Sequence, residues 1–271
     1  MKKRILYIAQ ELSPFLNVTE ISEKILELAT FVQRKPDFDV RIFIPRYGCV
    51  NQRRHQLHEV IRLSGINLVI NDIDQPLIIK VGSVQKAKLQ VYFIDNDEYF
   101  KRKGILKDSQ NNPFKDNDER MMFFCQGVLE SLIMLRWSPD IIHCNGWITG
   151  LIPLYLHKKY NTASVFENTK ILYSIYKDSF KGSLNKRLKE KVMFDEIEEE
   201  SVLHLTSPTA KNLHKQAIQF SDFVDPCKGF NSKDVLSFIK DNKVPTTKFG
   251  ENNSQEELVE LYNNMLIKET V

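Results

Sequence analysis

A few polar and aromatic side chains fall just past the ends of short apolar runs, where a side chain can meet a ligand. Glu11 follows Ile5-Leu6-Tyr7-Ile8-Ala9, Asn96 and the pair Tyr99-Phe100 follow Leu89–Ile94, Asn145 and Trp147 follow Asp140–Cys144, and Tyr176 closes Lys170–Tyr176. If these runs are strands of an open parallel sheet, their ends collect at its carboxyl edge, where such sheets bind ligands. The carboxylate and amide groups would hydrogen-bond a polar ligand, and Trp147 with Tyr99-Phe100 would offer rings for stacking. Each residue also has a structural reading. Trp147 can anchor the core under the next helix, Glu11 can tie down the Pro14 turn, and Asn145 or the pair Asp116-Asn117 can cap helices. Glu23 fits a solvated helix face, and His143, on an apolar strand, fits a satisfied core histidine.

The elements that would position these residues follow from periodicity. Residues 4–9 form an apolar run suited to a buried parallel strand, and Ile21, Ile25, Leu28 and Val32 repeat on one helical face. Asp39–Pro45 reads as a second strand, stopped by a proline that has no N–H for the ladder. His58–Leu63, Leu68–Ile70, Leu77–Val81 and Leu89–Ile94 suggest a meander or a sheet extension. Asp116 with Glu119 gives a capping box for a long helix whose buried face is Met121, Cys125, Val128, Leu132 and Leu135. A strand at Asp140–Cys144, a helix from about Trp147 to Lys159 and a strand at Lys170–Tyr176 resume the rhythm. Later helices are expected at Leu184–Phe194, Ala210–Phe220, Ser232–Asp241 and Glu256–Ile267, with Asn242–Asn253 as a linker and the acidic run Asp195–Glu200 as solvated loop. The pattern predicts an α/β fold, a doubly wound, mainly parallel, Rossmann-like sheet. One domain is expected over 1–230, with a helical tail over 231–271 packing on it.

Composition narrows the class. Of 271 residues, 42% are hydrophobic and 27% charged, so a sizeable core is available and wholesale disorder is excluded. The net charge is +3 with lysines and arginines dispersed along the sequence, which argues against a nucleic-acid partner. The basic start, Met1-Lys2-Lys3-Arg4, leads into an apolar run too short for a secretory core, and no stretch approaches the ~20 apolar residues that span a bilayer. Cys49, Cys125, Cys144 and Cys227 show no CxxC spacing, so reduced buried thiols are expected, with no metal and no cofactor. The chain reads as cytoplasmic.

Five segments, in order, resemble the starch/glycogen synthase family of bacterial and plant type: Glu11-Leu12-Ser13-Pro14-Phe15, Pro45-Arg46-Tyr47-Gly48, Tyr92–Asn96 with Tyr99-Phe100, Asp116-Asn117 with Glu119-Arg120, and Trp137-x-Pro139-Asp140-x-x-His143 leading to Trp147-x-Thr149-Gly150-Leu151. The resemblance implies the amino-terminal half of a GT-B glycosyltransferase, whose two facing domains hold sugar nucleotide and α-glucan in the cleft between them. It implies transfer of glucose from ADP-glucose to an α-1,4-glucan, with α-glucan or sugar nucleotide as partner. On this reading Glu11, Glu23, Tyr99, Phe100, Asn145 and Trp147 contact sugar, Glu23 replacing a family aspartate.

The departures from the family pattern lie at the donor site. Its Lys-Thr-Gly-Gly-Leu is here Asn17-Val18-Thr19-Glu20-Ile21, so the lysine position holds Asn17 and both phosphate-approaching glycines are gone. Glu20 would add like charge beside a phosphate, a repulsion of about 4 kcal/mol at ~4 Å and an effective dielectric near 20. The family histidine falls on Tyr176, and the aspartate of its His-Asp-Trp triplet falls on Gly146. The second, nucleotide-gripping domain is expected to be missing, so the chain should be catalytically incomplete alone and a second chain could supply that half. The alternative is a noncatalytic module that binds α-glucan or docks onto a glycan enzyme.

Overall fold

The computed structural model describes residues 2–177, 180–247 and 255–267. Strand β1 (Lys3–Ala9) lies at the centre, with Ile5 to Ala9 wholly buried. Burial on both faces is why the run is apolar without alternation. Helix α1 (Glu20–Gln33) follows, burying Ile21, Ile25, Leu28 and Val32, then β2 (Phe38–Pro45) pairs with β1 in parallel. Strands β3 (His58–Glu59), β4 (Ile66–Ile70) and β5 (Ile73–Val84) form an antiparallel extension, with β3 and β4 both pairing β5. The run expected at His58–Leu63 is strand for only two residues and closes in a 3-10 turn at Ile61–Leu63.

Strand β6 (Leu89–Asp95) runs antiparallel to β5 but parallel to β2, joining the extension to the main sheet. After α2 (Asp97–Phe100) comes α3 (Asn117–Leu135), buried beyond one stripe: Met122, Phe123 and Phe124 are enclosed with Met121, Cys125, Val128 and Leu132, while Leu135 is half-buried. Asp116 does not cap it. Both of its carboxylate oxygens take the guanidinium of Arg102, at 2.7 and 2.5 Å, a bidentate pairing that outcompetes a single backbone N–H.

The second half is β7 (Ile141–Asn145), α4 (Ile152–Lys158), β8 (Lys170–Ile175), α5 (Leu188–Met193), α6 (Ala210–Gln219), β9 (Phe223–Pro226), α7 (Lys233–Asp241) and α8 (Gln255–Met265). The helix expected from Trp147 is broken into a 3-10 turn at Trp147–Thr149 and the shorter α4, whose start fits Pro153 near its amino end. Asp195, at the head of the acidic run, is not solvated: it binds Lys159 at 2.5 Å and accepts from Gln126 at 2.8 Å with its side chain 6% exposed. Thr246 of the expected linker bridges to Val224, and the linker's remainder from 248 on lies outside the described residues.

The main sheet runs β6-β2-β1-β7-β8-β9, all parallel. From β1 the chain first winds outward through β2 and β6, then returns to β7 and winds the other way. This reversal, between β1 and β7, is the switch point of a doubly wound sheet. Helix α8 packs on α1, and α3, α4, α6 and α7 pack in sequence on one another. Among the described residues no helix is long and apolar enough to cross a membrane.

Candidate functional site

Ala9 and Asn145 are paired in register at the carboxyl ends of β1 and β7, so the residues after them enter one crevice. A cleft of about 1400 Å³ opens there, walled by Gln10, Glu11 and the turn before α1, by the loop from 103 to 117, and by Trp147 and residues 180–185. That exceeds the usual span of small-molecule pockets.

The corner at the start of α1 is closed by the protein's own carboxylate. Glu11, 2% exposed, accepts the backbone N–H of Val18 at 2.8 Å and that of Thr19 at 3.1 Å, with the Thr19 hydroxyl and the Gln10 amide as further donors. Backbone donors before a helix are a natural anion seat, and here a glutamate already fills it. Asn17 is also engaged: its amide donates to Glu23 at 2.8 Å and its oxygen accepts from Ser22 at 2.7 Å. Glu20 and Glu23 are exposed in the first turn. They suit the helix dipole but oppose an added anion.

The seam between β7 and β8 is closed in the same way. Asn145, fully buried, donates to the carbonyls of His143 at 2.8 Å and Ile8 at 3.3 Å, and accepts the Tyr176 hydroxyl at 2.9 Å. Tyr176 is 2% exposed, its phenol pushed far up by burial, with Lys24 Nζ 5.3 Å from its ring centre. Below, the ring nitrogens of His143 each lie 2.7 Å from a hydroxyl, Tyr262 at Nδ1 and Ser174 at Nε2. Burial pushes its pKa down to about 3, so it stays neutral.

Tyr99 and Phe100 are inside the core rather than on the cleft. The Tyr99 hydroxyl donates to Glu119 at 3.2 Å, and Phe100 meets Tyr47 edge-on at 5.7 Å. Asn96 caps α2 through the N–H of Tyr99, at 3.0 Å, and donates to the carbonyl of Pro76. Trp147 lines the cleft but is 3% exposed, its ring edge-on to the half-buried Phe180 at 4.8 Å. The structure thus brings Glu11 and Trp147 into one cleft, seats Asn145 and Tyr176 behind it with their polar groups engaged, leaves Glu23 on the exposed face of α1, and keeps Tyr99-Phe100 in the core.

Sequence reading missed the opposite wall. Lys103, Lys107, Lys115 and Lys181 all line the cleft and are exposed, and none has a side-chain hydrogen bond or ion pair among the described residues. Dispersed along the chain, they are gathered by two loops, and the signal available was the density of basic residues from Lys101 to Lys107. Cys49 also lines the cleft, exposed and not buried as expected, and all four cysteines are free thiols. No group of His, Cys, Asp and Glu among the described residues could hold a metal ion.

The fold matches the amino-terminal domain of the GT-B glycosyltransferase architecture. The chain belongs to the starch synthase catalytic domain family, which matches residues 4–237. It is 33% identical over 241 residues to a glycogen synthase of Chlorobaculum parvum, covering 86% of this chain and 47% of that protein. It is 38% identical over 197 residues to a glycogen synthase of Chlorobium chlorochromatii, covering 72% and 40% respectively. The chain therefore spans about half the length of these curated relatives. The catalytic domain of starch synthase IV from Arabidopsis thaliana, bound to ADP and acarbose, has the same fold, with a TM-score of 0.75 at 20% identity over 91% of this chain and 51% of that one.

Proposed function

We propose that this chain is the glucan-facing wall of a glucosyltransferase of α-glucan metabolism, and that it does not transfer glucose from ADP-glucose by its own residues. Residues 1–230 form the working domain and 231–271 the helical tail that supports it. Glu11, Phe180 and Trp147 border the glucan path, and the groups that grip the diphosphate come from another polypeptide segment or chain. The observation that carries this reading is the corner before α1, where Asn17 stands at the family's lysine position bonded to Glu23 and Ser22, no glycine is present, and the N–H groups of Val18 and Thr19 are bonded to Glu11. The closed Asn145–Tyr176 pair adds to it, because both side chains are buried and bonded to each other rather than presented to the cleft.

Purified chain incubated with labelled ADP-glucose and glycogen is expected to incorporate no label while still pelleting with glycogen. Incorporation at rates typical of the family's full-length members would overturn the first half of the proposal, and failure to pellet the second. A noncatalytic glucan-binding or enzyme-docking module is the second reading, favoured by the same sealed corner. Label incorporation that appears only when a polypeptide carrying the nucleotide-binding half is added supports the first reading. Its absence under that condition supports the second.

A further inference from the structure

Among the described residues the cleft is lined by four exposed lysines and one carboxylate, and that carboxylate, Glu11, is bonded to backbone N–H groups. Neutral sugar hydroxyls give no reason for such an excess of positive charge. Lys103, Lys107 and Lys115 stand on the loop between α2 and α3, and Lys181 on the segment after β8, so cations approach the cleft from both sides. On the loop between α2 and α3, Asp116 pairs with Arg102 and Asp108 accepts from the backbone of Gln110 and Asn112, while Asp178, the acid nearest in sequence to Lys181, lies outside the described residues. Half-buried Phe114, Phe180 and Leu184 supply apolar lining between the lysines, and the volume suits an extended ligand rather than one sugar.

The loop that carries three of these lysines is anchored, not loose. Gly48 lies so close to it that a β-carbon there would sit 2.1 Å from the carbonyl oxygen of Lys101 and 2.5 Å from that of Arg102. Arg102 is further locked by Asp116 and lies over the Phe114 ring at 4.9 Å. The cations are therefore presented from a fixed base, which lowers the ordering cost of binding an anion.

We infer that the cleft takes an α-glucan that carries phosphate monoesters, the sugars lying along the apolar lining and the phosphates meeting Lys103, Lys107, Lys115 and Lys181. This rests on the glucan-binding reading above and adds the charge of the ligand. The same phosphate chemistry is present in a sugar nucleotide, but the N–H groups before α1 are already bonded to Glu11.

The test uses one polymer in two states: a phosphate-bearing amylopectin and the same preparation after phosphatase treatment, measured by affinity electrophoresis at low and high salt. ADP-glucose is added as a competitor. The phosphorylated polymer is expected to bind about tenfold more tightly, or about 1.4 kcal/mol, and the gap should close near 0.5 M salt as exposed charges are screened. Combined Lys103→Gln, Lys107→Gln, Lys115→Gln and Lys181→Gln is expected to make the two polymers equal, whereas lysine-to-arginine changes at the same four positions keep the gap. Equal binding of both polymers by the unaltered chain overturns this inference and leaves glucan binding standing. Binding of neither overturns the glucan reading itself. Displacement of the phosphorylated polymer by micromolar ADP-glucose shows that the lysines serve a nucleotide, and also overturns the inference.

Discussion

The two walls of the cleft differ in how far their polar groups are spent. On the α1 side Glu11 lines the cleft, and it, with Asn17 and Glu23 on the turn into α1 and Asn145 and Tyr176 behind, is bonded to neighbouring side chains or to backbone, with lengths near 3 Å. Away from α1, three lysines of the loop between α2 and α3 and Lys181 of the segment after β8 line the same space without a side-chain partner among the described residues. Chemical potential for a ligand lies with unspent groups, since a polar atom already satisfied gains little by exchanging partners. The wall that reads as the site in sequence is thus the quieter one, and the wall that reads as ordinary loop is the one able to recognise charge.

The sharpest way to break this contrast is at Gly48. Gly48→Ala drives a β-carbon into the Lys101 and Arg102 carbonyls, which are backbone atoms and must move. A loss of about 3 kcal/mol is expected, read by thermal unfolding, with loss of preference for phosphorylated glucan as the loop shifts. An unchanged melting temperature contradicts the close approach.

Next is Glu11→Ala, which leaves the N–H groups of Val18 and Thr19 without their carboxylate partner. Destabilisation of about 2 kcal/mol is expected, a drop of roughly 4–8 °C in melting temperature for a domain of this size. A neutral outcome means that water or a ligand satisfies those groups as well as Glu11 does. Smaller again is Tyr262→Phe. It removes the hydroxyl of α8 that bonds His143 at 2.7 Å and lies 2.9 Å from that of Tyr7, at an expected cost of about 1 kcal/mol in denaturant unfolding.

An effect of a different kind lies in the pH dependence. The pKa of His143 is depressed to about 3 and that of His214 to about 4 by burial, against an unfolded value of 6.5. Between these limits the unfolded chain binds protons that the folded chain refuses, so these histidines make stability fall as pH falls below 6.5. The carboxyls of Asp118 and Asp195 are raised by burial and act in the opposite direction just above 3.8. The histidine contribution is therefore best isolated by difference. Denaturation midpoints at pH 7 and pH 5 are expected to differ less in His143→Gln than in the unaltered chain.

Much of the fold was legible, because β1, β2, β7 and β8 are buried on both faces and must be apolar runs, and because α1 keeps one clean stripe. What escaped was decided by contacts distant in sequence. The expected cap at Asp116 was claimed by Arg102, the solvated reading of Asp195 by Lys159, and the four-residue β9 is too short to show a period. The site was legible by place more than by chemistry. Strand ends located Glu11, Asn145 and Trp147 at the switch point, yet whether the polar atoms of Glu11 and Asn145 and the ring of Trp147 were free depended on Thr19, Tyr176 and Phe180, which residue type alone does not reveal. The lysines were visible as a basic run, but only the packing of two loops makes them neighbours.

The most direct measurement is calorimetric titration of ADP-glucose into the purified chain at low salt. A corner already occupied by Glu11 gives no saturable heat below millimolar ligand. A micromolar dissociation constant would show that the nucleotide finds a seat this structure assigns to the protein's own carboxylate, and the account of the closed wall would be wrong.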